Sequence, residues 1–158
     1  MDIIDEAGIL ALATRLERLA NYLRKEGLQI YKDHGIDFEP KWFPVIYALY
    51  DKSQLSVVEI ANEIGYSHPS TISLLKELEK NKLVTSKKDK SDERKRLIRL
   101  THKGNALIDQ MKPVWQIIIS AVTEATSASN NLMQALIETE EQFRLSGFAQ
   151  RALRLKKS

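Results

Sequence analysis

The sequence predicts a mostly α-helical fold with one small β-hairpin, in which a lobe containing the hairpin is flanked by longer helices. Three observations predict it. Apolar residues recur every three, four or seven positions over most of the chain, which is the spacing of one helix face. Two short helical segments are separated by a glycine, and a stretch with strand-like alternation follows them directly. The 158 residues, of which 43% are apolar, suffice for one domain core and are too few for two comfortable domains.

The first two helices are predicted from apolar spacing and from a proline. Apolar residues follow helical spacing between Ile9 and Ile30, so we expect one long amphipathic helix there. Its apolar stripe is longer than one small core requires. Pro40 is expected to open a second helix that ends near residues 51–54, because proline is compatible with the first turn of a helix.

Capping residues delimit the next two helices. Ser56 and Glu59 have the spacing of a capping box, and Gly65 can adopt the left-handed conformation that ends a helix. Ser67 is a suitable N-cap for the following helix and Pro69 is tolerated in its first turn. Two short helices joined by a tight turn that contains glycine form a helix-turn-helix.

The second helix of this pair has two distinct faces at about 100° per residue. The face expected to pack inward consists of Ile72, Leu75, Leu78 and Glu79, with Thr71 at its margin. The opposite face consists of Ser70, Ser73, Leu74 and Glu77. Small hydroxyl side chains near a helix N-terminus allow close approach to base edges in the DNA major groove. The alternative is an ordinary exposed surface of an α-hairpin.

A basic hairpin is predicted immediately after this helix. Residues 83–88 begin with a β-type sequence, residues 89–93 form a polar turn, and residues 95–100 alternate apolar and basic side chains. A helix-turn-helix followed by a hairpin is a winged helix, with Arg94 at or near the tip of the wing. Thr101 is expected to cap the helix that follows.

Positive charge is concentrated in this region. The whole chain has a net charge of +3, but residues 76–103 contain eleven Lys and Arg against five Asp and Glu, a local charge of +6. Such a field attracts polyanions, because phosphate contacts release condensed counterions. The alternative is a solvated charged surface without a partner.

Together these motifs make the chain similar to the multiple-antibiotic-resistance regulator (MarR) family of winged-helix transcription factors. The resemblance covers roughly residues 39–107 and rests on "SVVEIANEIGYSHPSTISLLKELEKNKLV" and "DKSDERKRLIRLTHKG". It implies that Arg94 enters the minor groove, that Asp92 helps to fix the wing, and that the recognition helix contacts DNA. Glu93 departs from the family pattern, in which a second wing arginine is frequent, and this would weaken the hold on phosphate. The expected DNA-binding residues are Ser67, His68, Pro69, Ser70, Thr71, Ser73 and Leu74 in the recognition helix and Lys87, Lys88, Asp92, Arg94, Lys95 and Arg96 in the wing.

The C-terminal third is predicted to be helical. Helical periodicity continues to Val122 and is interrupted by Pro113, which predicts a kink near the fourth residue before it. Residues 127–131 break the helix, residues 132–145 form another, and Gly147 offers a further bend. We therefore divide a single MarR-like domain, residues 1–158, into an N-terminal dimerisation helix (1–33), a winged helix-turn-helix lobe (38–101) and C-terminal dimerisation helices (102–158). The resemblance implies a homodimer formed by the terminal helices; the alternative is that they close one monomer core. The dimerisation candidates are Leu12, Leu16, Leu19, Leu23, Trp115, Ile118, Leu136 and Phe143.

Enzymatic and metal chemistry have little support in the sequence. The chain contains no cysteine, and His34, His68 and His102 are far apart and are interpreted as surface or DNA-flanking imidazoles. No glycine-rich phosphate loop, nucleophile elbow or paired-carboxylate motif occurs. We therefore expect no enzyme, no metal and no cofactor. The acidic N-terminus and the lack of a long apolar run predict a cytoplasmic protein without a membrane association.

Two classes of function remain. The first is a homodimeric DNA-binding regulator, a repressor that recognises a pseudo-palindromic operator in double-stranded DNA and responds to a small ligand. The second is a winged helix that serves as a protein–protein interaction module without reading a DNA sequence. The resemblance implies an aromatic or anionic ligand in a cleft, although aromatic residues at helical spacing are also typical of a core. The candidate pocket residues are Tyr22, Tyr31, Trp42, Phe43, Tyr47 and Trp115.

Overall fold

The computed structural model describes residues 1–156, which form helices and one three-stranded sheet. They separate into two compact units, residues 1–115 and the residues from 116 onward. Short 3-10 turns occur at Gly8–Ala11 and Pro40–Trp42. The strands are β1 (Gln54–Ser56), β2 (Val84–Lys88) and β3 (Arg96–Leu100). The helices are α1 (Ile3–Glu6), α2 (Leu12–Asp33), α3 (Phe43–Lys52), α4 (Val57–Ile64), α5 (His68–Lys80), α6 (His102–Thr126), α7 (Leu132–Leu145) and α8 (Phe148–Lys156).

The predicted caps of α4 and α5 are confirmed. Ser56 Oγ accepts a hydrogen bond from the Glu59 amide at 3.3 Å, and the Glu59 carboxylate accepts one from the Ser56 amide at 2.7 Å. These bonds lower the pKa of Glu59. Gly65 has a φ of 69°, and Ser67 Oγ accepts from the Ser70 amide at 3.3 Å. The helix-turn-helix is therefore set by local hydrogen bonds that the sequence specifies.

The sheet contains one strand more than predicted. Its order is β1-β3-β2 and both pairs are antiparallel, so the predicted hairpin is confirmed and β1 adds a third strand on the other side of β3. Leu55 of β1 lies opposite Ile98 of β3, and both side chains are buried. A strand of three residues is too short to show the alternation by which strands are predicted.

The core of the first unit lies between the winged-helix elements and the N-terminal half of α6. Tyr31 and Trp42 pack edge-on against Phe38, with ring centroids 5.0 and 5.8 Å from it. These contacts join the end of α2 to the start of α3. The largest fully buried side chains are Phe38, Ile46, Leu49, Ile60, Leu78, Ile108 and Met111.

Helix α6 runs through Pro113 without a break, so the predicted interruption is wrong. Proline lacks the N–H that would bond the carbonyl of Asp109. Both residues are exposed, so water can satisfy that carbonyl and the helix continues.

The second unit contains the end of α6, α7 and α8. The predicted break at residues 127–131 and the bend near Gly147 are confirmed. Asn131 caps α7 by accepting from the Gln134 amide at 2.9 Å. The Arg151 guanidinium of α8 donates to the carbonyl oxygens of Ser146 and Gln142 at 2.8 and 2.7 Å, which ties α8 to the end of α7. No helix among residues 1–156 is long and apolar enough to cross a membrane.

The start of α6 is anchored to the base of the wing by a close contact. The Thr101 amide donates to the Leu83 carbonyl oxygen at 3.0 Å, and its hydroxyl donates to the Lys82 carbonyl oxygen at 2.6 Å and accepts from the Gly104 amide at 3.0 Å. Gly104 is buried, and a Cβ at this position would overlap the Leu83 carbonyl oxygen. The Leu-Thr-x-x-Gly sequence thus has a packing reason: only glycine lets the two backbones approach this closely.

We predict that Gly104→Ala destabilises the protein by about 1–3 kcal/mol, because the added methyl group must displace backbone that cannot move freely. Gly27→Ala is the matched control, since Gly27 lies in α2 and its Cβ would meet Pro40 Cγ at an ordinary 3.6 Å. Replacing glycine with alanine inside a helix stabilises by up to about 1 kcal/mol. Chemical denaturation of both variants measures the two free energies of unfolding, and equal values would contradict the assigned contact.

Candidate nucleic-acid interface

Helix α5 fixes which of the predicted recognition residues are accessible. Thr71 is 0% exposed and its hydroxyl donates to the Ser67 carbonyl oxygen at 3.0 Å. The prediction that Thr71 contacts DNA is therefore wrong, because a buried side chain cannot reach a base. Glu79, predicted to face inward, is exposed, and Ile72 is only half-buried. The buried face is rotated from the predicted one toward Thr71.

The outward face of α5 is polar and includes a lysine that the sequence analysis missed. Since successive residues lie about 100° apart around the axis, Pro69, Ser73 and Lys76 point away from the buried Thr71 and Leu78. All three are exposed. The three-residue spacing from Ser73 is the signal by which Lys76 could have been found.

The other predicted recognition residues lie around the N-terminus of α5. Ser67, His68 and Ser70 are exposed, and Leu74 is half-buried. Ser67 and Ser70 also bond each other through their hydroxyl groups at 2.9 Å. A small, hydroxyl-bearing end of the helix is therefore presented to solvent, as predicted.

A groove of about 540 Å³ separates α5 from the wing. Its lining combines the apolar side chains of Val58, Ile72 and Ile98 with the cations Lys76 and Arg94 and the carboxylates Glu59 and Glu79. The groove places the cations of the wing beside one flank of the recognition helix.

The turn of the wing is built by two aspartates. Asp92 Oδ1 accepts from the Arg94 amide at 3.0 Å, and the Asp92 carbonyl oxygen accepts from the Lys95 amide at 2.9 Å. Asp89, which the sequence analysis did not single out, accepts from the amide and hydroxyl of Ser91 at 2.9 and 2.8 Å, and these bonds lower the pKa of Asp89. The two carboxylates thus hold the backbone that carries Arg94.

The cations of the wing are available to a partner. Within residues 1–156 none of them forms a salt bridge with an Asp or Glu side chain. Their charged groups are therefore not tied up in ion pairs and can contact the phosphates of a nucleic acid. All five predicted wing cations are exposed: Lys87, Lys88, Arg94, Lys95 and Arg96.

The candidate pocket residues do not form one pocket: two lie in the core, three pack together at the surface, and Tyr22 is separate from both groups. Tyr31 and Trp42 are buried core residues, whereas Phe43 and Tyr47 pack around the Trp115 indole with ring centroids 5.9 and 5.8 Å away. Tyr22 is 58% exposed and takes part in none of these ring contacts.

A residue outside the prediction completes the aromatic cluster. Tyr50 packs against Trp115 at 6.1 Å, and Lys112 Nζ lies 5.1 Å from the centre of its ring. The Trp115 Nε1–H donates to Tyr31 Oη at 3.1 Å, and burial raises the pKa of Tyr31. The aromatic cluster of Phe43, Tyr47, Tyr50 and Trp115 is thus half-exposed and bonded to the core.

The predicted dimerisation residues lie in both units. In the first unit, leucines 12, 16, 19 and 23 are between 39% and 45% exposed along one side of α2. Trp115 belongs to the aromatic cluster. In the second unit, Ile118 and Leu136 are half-buried, and the Phe143 ring lies 6.1 Å from that of Phe148.

The three histidines are not brought together. His34 Nδ1 bonds the Ile30 carbonyl oxygen at 2.8 Å at the end of α2, whereas His68 begins α5 and His102 begins α6. Within the part of the chain that the structure describes, no three His, Cys, Asp or Glu side chains are placed to hold a metal ion.

Comparison with known proteins agrees with the architecture. Residues 34–95 match the model of the MarR family. No curated protein sequence matches the chain. Among solved structures, the transcriptional repressor CouR, bound to a 23-mer DNA duplex, is 25% identical with a TM-score of 0.67, over 87% of this chain and 96% of that one.

Two further structures share the fold at lower identity. The MepR–DNA complex of S. aureus is 19% identical with a TM-score of 0.70, over 85% of this chain and 97% of that one. BpsR of Bordetella bronchiseptica, whose DNA binding is regulated by 6-hydroxynicotinic acid, is 20% identical with a TM-score of 0.60, over 81% of this chain and 98% of that one. The resemblance to the MarR family is therefore confirmed, by the family model over residues 34–95 and by the winged helix-turn-helix fold.

Proposed function

We propose that the protein is a homodimeric, sequence-specific DNA-binding transcriptional repressor whose affinity for DNA is modulated by a small ligand. One observation carries the proposal: a single lobe presents a small hydroxyl face on α5 next to a wing whose cations form no salt bridge within residues 1–156. The match to the MarR family model and the DNA-bound structures of similar proteins support the same conclusion.

The chemistry of the lobe suits duplex DNA. The N-terminal half of α5 enters the major groove, where Ser70 and Ser73 approach base edges and Lys76 approaches phosphate. The wing extends along the duplex, and Arg94 enters the adjacent minor groove. Asp92 accepts a hydrogen bond from the Arg94 amide, so the backbone at Arg94 is already ordered in the free protein. Less conformational entropy is therefore lost when the guanidinium binds DNA.

A dimer supplies the information that one lobe lacks. A single lobe contacts too few base pairs to specify a genomic site, whereas two lobes read a pseudo-palindrome with half-sites about 10 bp apart. The exposed leucines of α2 support this, because an apolar stripe on a helix is stabilised when a second surface covers it.

The aromatic cluster is the candidate ligand site. Its rings are partly exposed and Lys112 lies over Tyr50, so it combines apolar surface with a positive charge. That combination suits an aromatic or anionic compound. Trp115 is bonded to Tyr31 of α2, so a ligand at the cluster contacts a residue that is linked to the proposed dimerisation helix.

The second candidate function is a protein-interaction module. A gel shift with DNA from upstream of the protein's own coding region, repeated over a salt series, distinguishes the two. A DNA-binding regulator binds this fragment selectively and loses affinity steeply with salt. Weak binding that is insensitive to salt and sequence favours the interaction module.

We predict that Arg94→Ala weakens operator binding by about 1–3 kcal/mol and lowers the salt slope by about one per lobe. Its melting temperature should not change, because the wing tip is exposed. Lys32→Ala removes the same charge from an exposed position at the end of α2 and serves as the control. Unchanged affinity in Arg94→Ala would show that the wing is not part of the interface.

Ser73→Glu should abolish specific binding without unfolding the protein. The carboxylate would face the major groove and its phosphates, while glutamate is well tolerated at an exposed helix position. Leu78→Glu is the contrasting variant, because Leu78 is 0% exposed and a buried charge destabilises the lobe. Circular dichroism and DNA binding of both variants separate the two effects, and similar behaviour would refute the assigned faces of α5.

The dimer is predicted to sediment at about 36 kDa, twice the 18.1 kDa of one chain. Deleting residues 1–31 should give monomers or aggregates that no longer bind DNA specifically, because the leucine stripe of α2 is lost. A full-length monomer at micromolar concentration that still bound one palindromic operator tightly would contradict the mechanism.

A further inference from the structure

A second cavity lies against α5, on the flank away from the wing. It has a volume of about 310 Å³ and brings together side chains from α2, the turn before α3, the helix-turn-helix turn and α5. The lining residues are Arg24, Lys41, Tyr66, Ser70, Ser73 and Leu74.

The position of this cavity follows from the geometry of α5. At about 100° per residue, Ser70 and Leu74 point roughly opposite to His68 and Ile72, which line the groove beside the wing. Ser73 lies between the two flanks, on the outward face. A helix lying in the major groove has one phosphate backbone along each flank, since the groove is only about 12 Å wide. The wing therefore faces one backbone and the second cavity faces the other.

The charges in the cavity favour an anion. Arg24 Nη1 donates to Asn21 Oδ1 at 3.2 Å and, within residues 1–156, forms no salt bridge. Lys41 Nζ lies 2.8 Å from Oε2 of Glu77, and the same oxygen accepts a hydrogen bond from the Trp42 indole N–H at 3.0 Å. Lys41 is thus held in place with its charge balanced, and Arg24 gives the cavity a net positive charge.

We propose that this cavity, the flank site, binds a backbone phosphate of the DNA strand that the wing does not contact. Arg24 is its principal cation, and the hydroxyl group of Tyr66 is its neutral donor. The inference rests on the proposed function and extends it: the N-terminal helix α2 takes part in the DNA interface, and each lobe contacts both backbones of its major groove.

The first arm of the test compares Arg24→Ala with Lys25→Ala, which removes the same charge from the next position of α2. Operator affinity is measured by fluorescence anisotropy between 50 and 200 mM NaCl. One phosphate contact changes affinity about 3.5-fold over this range, because the salt slope is about 0.9 per contact. Arg24→Ala should therefore lose this roughly 3.5-fold salt dependence once for each lobe, and it should weaken binding to all duplexes alike. Lys25→Ala should have the affinity and the salt dependence of the wild type.

The second arm uses Glu77→Gln. The amide oxygen can still accept from the Trp42 indole, but the charge of Lys41 is no longer balanced. A phosphate in the flank site should then be bound more tightly, so Glu77→Gln raises affinity and steepens the salt dependence while Arg24→Ala does the reverse. Opposite effects of two substitutions in one cavity are not expected from a general loss of stability, which melting curves of both variants check.

Other outcomes overturn the flank site. If Arg94→Ala and Ser73→Glu impair binding but Arg24→Ala keeps the wild-type salt slope, DNA binding stands and the flank site does not. The same holds if folded Glu77→Gln binds no more tightly than the wild type. If Arg24→Ala leaves operator affinity and the salt slope unchanged but abolishes the binding of inorganic phosphate to the DNA-free protein, the site takes a free phosphate compound instead. If the wild type binds no DNA, the proposed function fails with it.

Discussion

The close approach of Gly104 to the Leu83 carbonyl oxygen is the contact on which the lobe depends. Leu83 ends the link between α5 and β2, and Thr101 joins β3 to α6. The Thr101 amide, bonded to the Leu83 carbonyl oxygen, and the Thr101 hydroxyl, bonded to the Lys82 carbonyl oxygen, close the base of the hairpin and seat α6 against it. Because this junction tolerates no side chain at residue 104, the positions of the wing, α5 and α6 are set together.

Once that junction is formed, the functional surface needs little burial of its own. The side chains that we assign to DNA lie on exposed turns and on the outer side of α5, while Thr71, Leu75 and Leu78 hold the helix from below. Substitutions on the outer surface can therefore change binding without changing the free energy of unfolding. The turn that carries the wing cations is likewise held by the carboxylates of Asp89 and Asp92, which accept hydrogen bonds from backbone amides of the turn and involve no core residue.

Much of the fold could be predicted because its signals are local. The caps at Ser56, Gly65 and Ser67 and the two hairpin strands each follow from neighbouring residues. Three features could not. Strand β1 exists only through pairing with β3, and the burial of Thr71 depends on how α5 is rotated against the core. Arg24 and Ser70 are far apart in the sequence and come together only through tertiary packing, which apolar periodicity cannot predict. The exposure of the outer face of α5 and of the wing was thus predicted from the sequence, whereas the burial of Thr71 and the position of Arg24 were not.

Hydroxyl-radical footprinting of the operator complex tests the central claim most directly, because it reports which sugar–phosphate positions the protein covers. Two lobes that each lie in a major groove should protect both strands, in patches related by two-fold symmetry and repeating about every 10 bp along one face of the duplex. Uniform protection, or protection that differs little between the operator and an unrelated duplex, would contradict a winged helix that reads DNA.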